Sequence, residues 1–181
     1  ATLLNVTLSG NSSTKGGAFY SSNDAYLRNV TVADNTASSM YGGLYLAGTA
    51  SIANSIITRN SAPSVPNTDR TGSNSLIGVD AGLRPFGDYG GGISTYALYC
   101  NSPAINAGAV SLAVDRGNNP LTIDQRGFAR VSAAGVDIGA VEAGEISVSN
   151  ISDSALEAGS LRKALADAPD GGMICFDSFF F

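Results

Sequence analysis

The chain has no histidine, no tryptophan, two cysteines and two methionines in 181 residues, and only 14% of its residues are charged. Without histidine, no side chain with an ordinary titration near neutral pH is on hand as a general base, and the commonest metal ligand is missing. The two cysteines, Cys100 and Cys175, form no CxxC pair, which reads against a metal site. They are far apart and are expected to be unpaired small apolar residues. No apolar run of about 18 residues occurs, so no helical membrane span is read. A net charge of −5 leaves no basic excess to attract nucleic acid or anionic lipid. The length allows a core, but low charge with 22 glycines and abundant Ser, Asn and Thr fits a polar-surfaced β-solenoid better than a compact enzyme.

Three segments repeat one order of side chains. They are Leu3-Leu4-Asn5-Val6-Thr7-Leu8-Ser9-Gly10-Asn11, Leu27-Arg28-Asn29-Val30-Thr31-Val32-Ala33-Asp34-Asn35 and Ile52-Ala53-Asn54-Ser55-Ile56-Ile57-Thr58-Arg59-Asn60. Asn5, Asn29 and Asn54 are 24 and 25 residues apart, and so are Asn11, Asn35 and Asn60. Such a period marks a solenoid, whose repeats bury apolar faces only by stacking. Positions 6 and 8 share one face of a strand, whereas the odd steps from 3 to 6 and from 8 to 11 break the two-residue parity and require corners. Each corner carries an Asn, which tolerates left-handed backbone. Gly16-Gly17-Ala18-Phe19-Tyr20 and Gly42-Gly43-Leu44-Tyr45-Leu46 read as a further strand, with Ala18/Leu44 and Tyr20/Leu46 in register. The expected fold is all-β, a right-handed parallel β-helix of the pectin-lyase-like kind, with an irregular C-terminal module and one short helix. A helical solenoid would need apolar residues at i, i+3, i+4 and i+7, which these coils lack.

Both Asn columns are expected to stack as amide ladders at the strand spacing. The glycosylation-type triplets at Asn5, Asn11 and Asn29 are generated by the repeat itself and are discounted. Asn11 to Gly16 spans five residues and Asn35 to Gly42 seven, so that side of the solenoid tolerates insertion and carries loops, where binding would reside.

The chain divides into coils over 1–62, an irregular module over 63–143 and a new start over 144–181. Residues 63–75, rich in Pro, Ser, Asn and Thr, read as a surface loop. Beyond them come Ser75-Leu76-Ile77-Gly78, Ser102-Pro103-Ala104-Ile105-Asn106-Ala107-Gly108, Asp124-Gln125-Arg126-Gly127-Phe128-Ala129-Arg130 and Val136-Asp137-Ile138-Gly139-Ala140-Val141-Glu142. This ordered series, over about residues 74–142, resembles the choice-of-anchor Q domain, which implies a bacterial secreted or surface β-helix protein. The coils, with Gly-Gly-Ala-Phe and the pattern Leu8-Ser-Gly-Asn11, resemble the repeats of polymorphic outer-membrane proteins. Residues 146–177 resemble a CSLREA-type opening of a further β-helix. There Ser160 can cap a helix over about 160–168, with Leu161, Ala164, Leu165 and Ala168 on one face. That helix would cover an open coil with Leu161 and Leu165 buried, and alternation would resume at Ile174 and Phe176. The chain starts inside a repeat without Met, so it reads as an internal piece whose missing signal peptide says nothing about export.

β-helix lyases and hydrolases need clustered carboxylates, with Ca²⁺ and a base or as paired acids. The coils form no carboxylate column: Arg28 lies above Ala53, and Asp34 above Arg59 as a surface ion pair worth under about 1 kcal/mol. Asp124, Arg126 and Asp137 are the one charged constellation in a motif. They are expected to brace two segments, with Arg126 reaching Asp137. The site residues are therefore structural: Asn5, Asn29, Asn54, Asn11, Asn35, Asn60, Asp124, Arg126 and Asp137. No catalytic, cofactor-binding or metal-binding residue is read. The expected role is a stalk or adhesin on the bacterial surface or in secretion, meeting polysaccharide or a host or cell-surface ligand. The rivals are the non-catalytic portion of a polysaccharide lyase or glycoside hydrolase, and an autotransporter passenger.

Overall fold

The computed structural model describes residues 1–131, 135–168 and 172–176. They fall into two compact units, Ala1–Glu142 and Ala143–Phe181. The first is a parallel β-solenoid. Its main sheet joins β1 (Thr2–Ser9), β4 (Ala25–Ala33), the split pair β7 (Ala50–Ala53) and β8 (Ile56–Thr58), and β9 (Leu76–Ile77). The register stacks Leu3 on Leu27 on Ile52, Val6 on Val30, and Leu8 on Val32 on Ile57 on Ile77. A second sheet pairs β2 (Ser12–Lys15) with β5 (Thr36–Met40), and a third pairs β3 (Phe19–Ser21) with β6 (Leu44–Leu46). The stacked Leu, Val and Ile columns, with Leu44 and Leu46 facing them, fill the interior. β-branched side chains suit these pleated, tightly stacked positions.

Corners follow from backbone sign. Asn5, Asn29, Asn54 and Asn74 share left-handed φ values of 48°, 52°, 47° and 46°. At the second corner the left-handed residues are Gly10, Asp34 and Arg59, one position before the Asn column. The third is Gly16, Tyr41 and Val65. Next to it, a Cβ on Gly17 would collide with the Gly42 carbonyl oxygen, so coil stacking itself demands glycine.

Two details differ from the sequence reading. Phe19 stacks on Leu44, Tyr20 on Tyr45 and Ser21 on Leu46, one step from the expected register. The cause is a register shift between Ser13 and Lys15, which absorbs the extra length of the second coil as a bulge. Residues 63–75 are also not a free loop. Ser64, Pro66 and Asn67 carbonyls accept from Tyr41, Gly43 and Leu44 N–H groups, and Ser73 pairs with Ala53. Proline removes a donor but leaves the acceptor, so this Pro-bearing stretch still completes a coil.

Residues 78–131 and 135–142 are irregular, apart from a hairpin of β10 (Gly87–Asp88) and β11 (Ser94–Thr95) and a 3₁₀ turn at Val110–Leu112. Neither cysteine is free: Cys100 and Cys175 are both disulfide-bonded, correcting the expectation of unpaired thiols. Redox chemistry, not small apolar packing, decides the state of these residues.

In the second unit β12 (Glu145–Val148) runs parallel to β13 (Met173–Phe176), with α1 (Leu161–Asp167) between them in sequence. Ser160 caps α1, its Oγ accepting the Lys163 N–H. The helix buries Ala164, while Leu161 and Leu165 are 42% and 63% exposed, so the expected leucine-burying face is not the one used. Cys175 is buried and Phe176 exposed, which also inverts the expected role of Phe176. Among the described residues no helix is long and apolar enough to cross a membrane.

Candidate functional site

Main-sheet residues alternate between the core and an outer face. Here the chain's own irregular segment lies on it. Thr7 donates to Gln125 Oε1 at 2.5 Å, and the Ala140 N–H donates to Thr31 Oγ1 at 3.0 Å. Tyr26 donates to the Val114 and Asp115 carbonyls. Thr31, Ala33 and Ile56, which point outward, are buried as a result.

The two Asn columns do different work. Asn35 accepts from Asn11 and donates to Asn60, and Asn60 donates to Asn67 Oδ1 at 2.9 Å, so this column is a hydrogen-bonded ladder closed by Asn67. Asn5, Asn29 and Asn54 occupy left-handed corners and turn their amides away from one another, onto the covering segment. Asn5 donates to Ile123 O, Asn29 to Asp137 O, and Asn54 exchanges two hydrogen bonds with the Ala109 backbone. The expected second ladder is thus replaced by three docking points, because a corner amide projects outward rather than along the stack.

Gly139 shows how close this docking is. A Cβ there would sit 2.8 Å from Ile56 Cδ1 and 2.9 Å from Thr31 Oγ1, at a φ of 109° that favours glycine. Gly139→Ala should cost roughly 1–2 kcal/mol, read as a lowered urea midpoint.

Five ionisable side chains gather beneath this segment. Asp124, Asp137 and Glu142 are 2%, 1% and 4% exposed, and Arg130 is fully buried. Arg126 pairs with Asp124 at 2.8 Å. Asp124 also accepts the N–H groups of Arg126, Phe128 and Glu142. Arg126 donates further to the Glu142 and Tyr89 carbonyls. The two motifs are therefore joined, but the ion pair of Arg126 is with Asp124 and the crossing bonds run through Glu142, not the expected Arg126–Asp137 pair. Asp137 instead accepts the Asn106 N–H at 2.7 Å and lends its own N–H to Glu142 Oε2. Arg130 donates to the Gly139 carbonyl. Arg130 and Glu142 were missed by sequence reasoning, although each ends a motif it had singled out.

Burial, then the neighbouring Asp137, pushes the Glu142 carboxyl up to about 8 from its ordinary 4.5, against the Asp137 N–H and Arg130, which hold it down. Burial pushes the Arg130 guanidinium downward, opposed by Glu142, Asp124 and Asp137. A proton on Glu142 leaves two cations facing two carboxylates, which is how a low-dielectric cluster reaches neutrality. Since its folded value is raised, the stabilising contribution of Glu142 is complete below about 4.5 and lost as pH climbs to about 8. The first unit should therefore melt at higher temperature at pH 5 than at pH 8, and Glu142→Gln should flatten that slope. Loss of stability on acidification across that window, in wild type, would contradict the assignment.

This cluster is almost wholly removed from solvent, and its hydrogen bonds tie residues 124–130 to residues 139–142, while Arg130 Nε and Nη2 are buried without a hydrogen-bond partner. At the surface, Asp34 pairs with Arg59 at 2.7 Å, and Tyr96 donates to Asp34 Oδ2. An open cleft of about 500 Å³ beside Arg59 and Tyr99 contains one carboxylate, Asp80, where glycoside hydrolysis uses two.

Residues 5–22 match the Chlamydia polymorphic membrane protein repeat. No curated protein and no solved structure matches the chain. The matched stretch runs from the corner at Asn5 through the ladder residue Asn11, the close-packed Gly17 and Tyr20 to Ser22, most of one coil of the solenoid.

Proposed function

We propose that this chain is part of a bacterial cell-surface or secreted β-helix repeat protein with a structural, adhesin-like role and no catalysis of its own. The observation that carries the reading is the repeat match at residues 5–22 lying within a coil of a parallel β-solenoid. Two further features support it. The outer face of the main sheet is filled by the chain's own segment, so these coils offer rigidity rather than an open substrate groove. Both cysteines are disulfide-bonded, as suits an oxidising, exported environment.

Within this reading residues 74–142 act as a choice-of-anchor Q-type module that closes over the coils, and residues 144–181 open a further β-helix of the CSLREA type. Exposed solenoid loops then supply contacts with polysaccharide or another cell-surface ligand. Protease shaving of intact bacteria carrying the gene tests the location. Peptides from the loop side of the coils should be released without lysis, or appear in the medium. Recovery of the protein only from the cytoplasm would sink the reading.

A further inference from the structure

We propose that Tyr20, Tyr41 and Tyr45 form a binding platform for a neutral oligosaccharide on the third face of the solenoid. Tyr20 and Tyr45 are register partners in β3 and β6, with ring centroids 5.2 Å apart. Tyr41 lies flat on Tyr45, centroids 4.6 Å apart and planes 4° from parallel. Tyr20 is 55% exposed, and both register partners alternate with side chains that face inward, so the rings form a continuous outward aromatic surface.

The fold does not require these rings. Tyr41 sits in the left-handed corner column whose member in the preceding coil is Gly16. Glycine makes the same corner without strain, whereas a bulky residue there is an outlier. Left-handed strain and aromatic stacking are comparable in size and opposite in sign, so Tyr41 contributes little net stability. Gly16 itself is required by the backbone, since a Cβ on it would lie 2.6 Å from the Phe19 carbonyl oxygen, and at 3.1 Å from Tyr45 Cβ it would also crowd the Tyr45 side chain. Strain held at a half-buried surface position with little return in stability is the pattern of a binding site.

Charge selects the ligand class. The charged groups acting on Tyr41 are Asp69 and Arg70, one of each sign. Tyr41 donates to Asp69 at 3.4 Å, Arg70 lies 3.5 Å from Asp69, and the Arg70 guanidinium also donates to the Leu46 carbonyl. A committed cation beside a carboxylate gives uronate or phosphate no advantage. Aromatic faces, phenolic hydroxyls and a shared carboxylate instead suit the C–H face and hydroxyl rim of a neutral pyranose.

The proposal deepens the surface reading by naming a ligand class, and its test is independent of where the protein resides. With no tryptophan in the chain, tyrosine emission can be followed, and three of the seven tyrosines belong to the platform, so a response lost in the Tyr20 and Tyr41 variants is assigned to it. Wild type, Tyr20→Ala and Tyr41→Gly would be titrated with cellohexaose, laminarihexaose, mannohexaose and hexagalacturonate, and unfolded in urea. We expect saturable binding of at least one neutral hexasaccharide, weakened about tenfold or more in both variants, with the Tyr41→Gly urea midpoint unchanged or raised. No saturable response to any neutral probe overturns the proposal. So does tighter binding of hexagalacturonate, or a Tyr41→Gly midpoint that falls while Tyr20→Ala keeps wild-type affinity, which would make the rings a stability ladder only.

Discussion

Arg126→Ala should destabilise the first unit by about 3–5 kcal/mol, because it leaves a buried carboxylate without its counter-charge. Both partners are almost wholly removed from solvent, with side chains 2% and 0% exposed. The guanidinium binds Asp124 Oδ2 through Nε and Nη2 while holding the Glu142 and Tyr89 carbonyls. Removing it also strands those two acceptors. Asp124 would keep only its backbone donors, which soften the penalty without cancelling it. Arg126→Lys should rescue little, since one ammonium cannot reproduce a planar fork aimed at three oxygens. The covering segment is docked on the coils through Asn5, Asn54 and Thr31, so coils and segment should unfold in one urea transition followed by circular dichroism. A midpoint equal to wild type would refute the brace. An unchanged midpoint with altered polysaccharide turnover would make the cluster catalytic.

The coils were legible because a solenoid writes its fold in period and parity, and both are visible in residues 3–11, 27–35 and 52–60. The ladder of Asn11, Asn35 and Asn60 was legible for the same reason. The docking role of Asn5 and Asn54 was not, because their partners lie 118 and 55 residues away and nothing local encodes them. One coil segment was readable but unread. Asn74-Ser75-Leu76-Ile77 copies Asn54-Ser55-Ile56-Ile57, and the structure stacks Leu76 on Ile56 and Ile77 on Ile57. Asn67, by contrast, stands in a Pro-rich stretch with no apolar columns and carries no signal. In the irregular segment the sequence marks charges set in apolar runs, which identifies a buried brace. It does not say which carboxylate meets which arginine, because a segment without periodicity encodes no register. In α1 the cap was explicit in Ser160, but the buried side depended on small Ala164 rather than on the leucines, a choice made by packing rather than pattern.

Asn35→Ala should cost about 3 kcal/mol, the sum of a few orphaned buried groups rather than of lost bulk. Asn35 is the centre of the ladder. Its Oδ1 accepts from the Asn11 N–H and Nδ2, and its Nδ2 donates to Leu8 O, Ala33 O and Asn60 Oδ1. These bonds tie the coils together where the chain turns away from the main sheet, so no strand ladder is available to replace them. Asn35→Asp separates hydrogen bonding from shape. The carboxylate is nearly isosteric and still accepts from Asn11, yet it faces the Leu8, Ala33 and Asn60 oxygens with no proton to offer. It should therefore be at least as destabilising as alanine at pH 7, and should partly recover on acidification as the carboxyl gains a proton. Asn11→Ala, at the exposed end of the ladder, should cost under about 1 kcal/mol. Urea midpoints for the three variants decide the matter. Equal losses at positions 11 and 35 would mean that the amides stack without supporting one another, and an Asn35→Asp variant as stable as wild type would mean that the donor bonds contribute nothing. The graded order, with the central amide dominant, is what a one-dimensional stack requires, because only an interior rung holds neighbours on both sides.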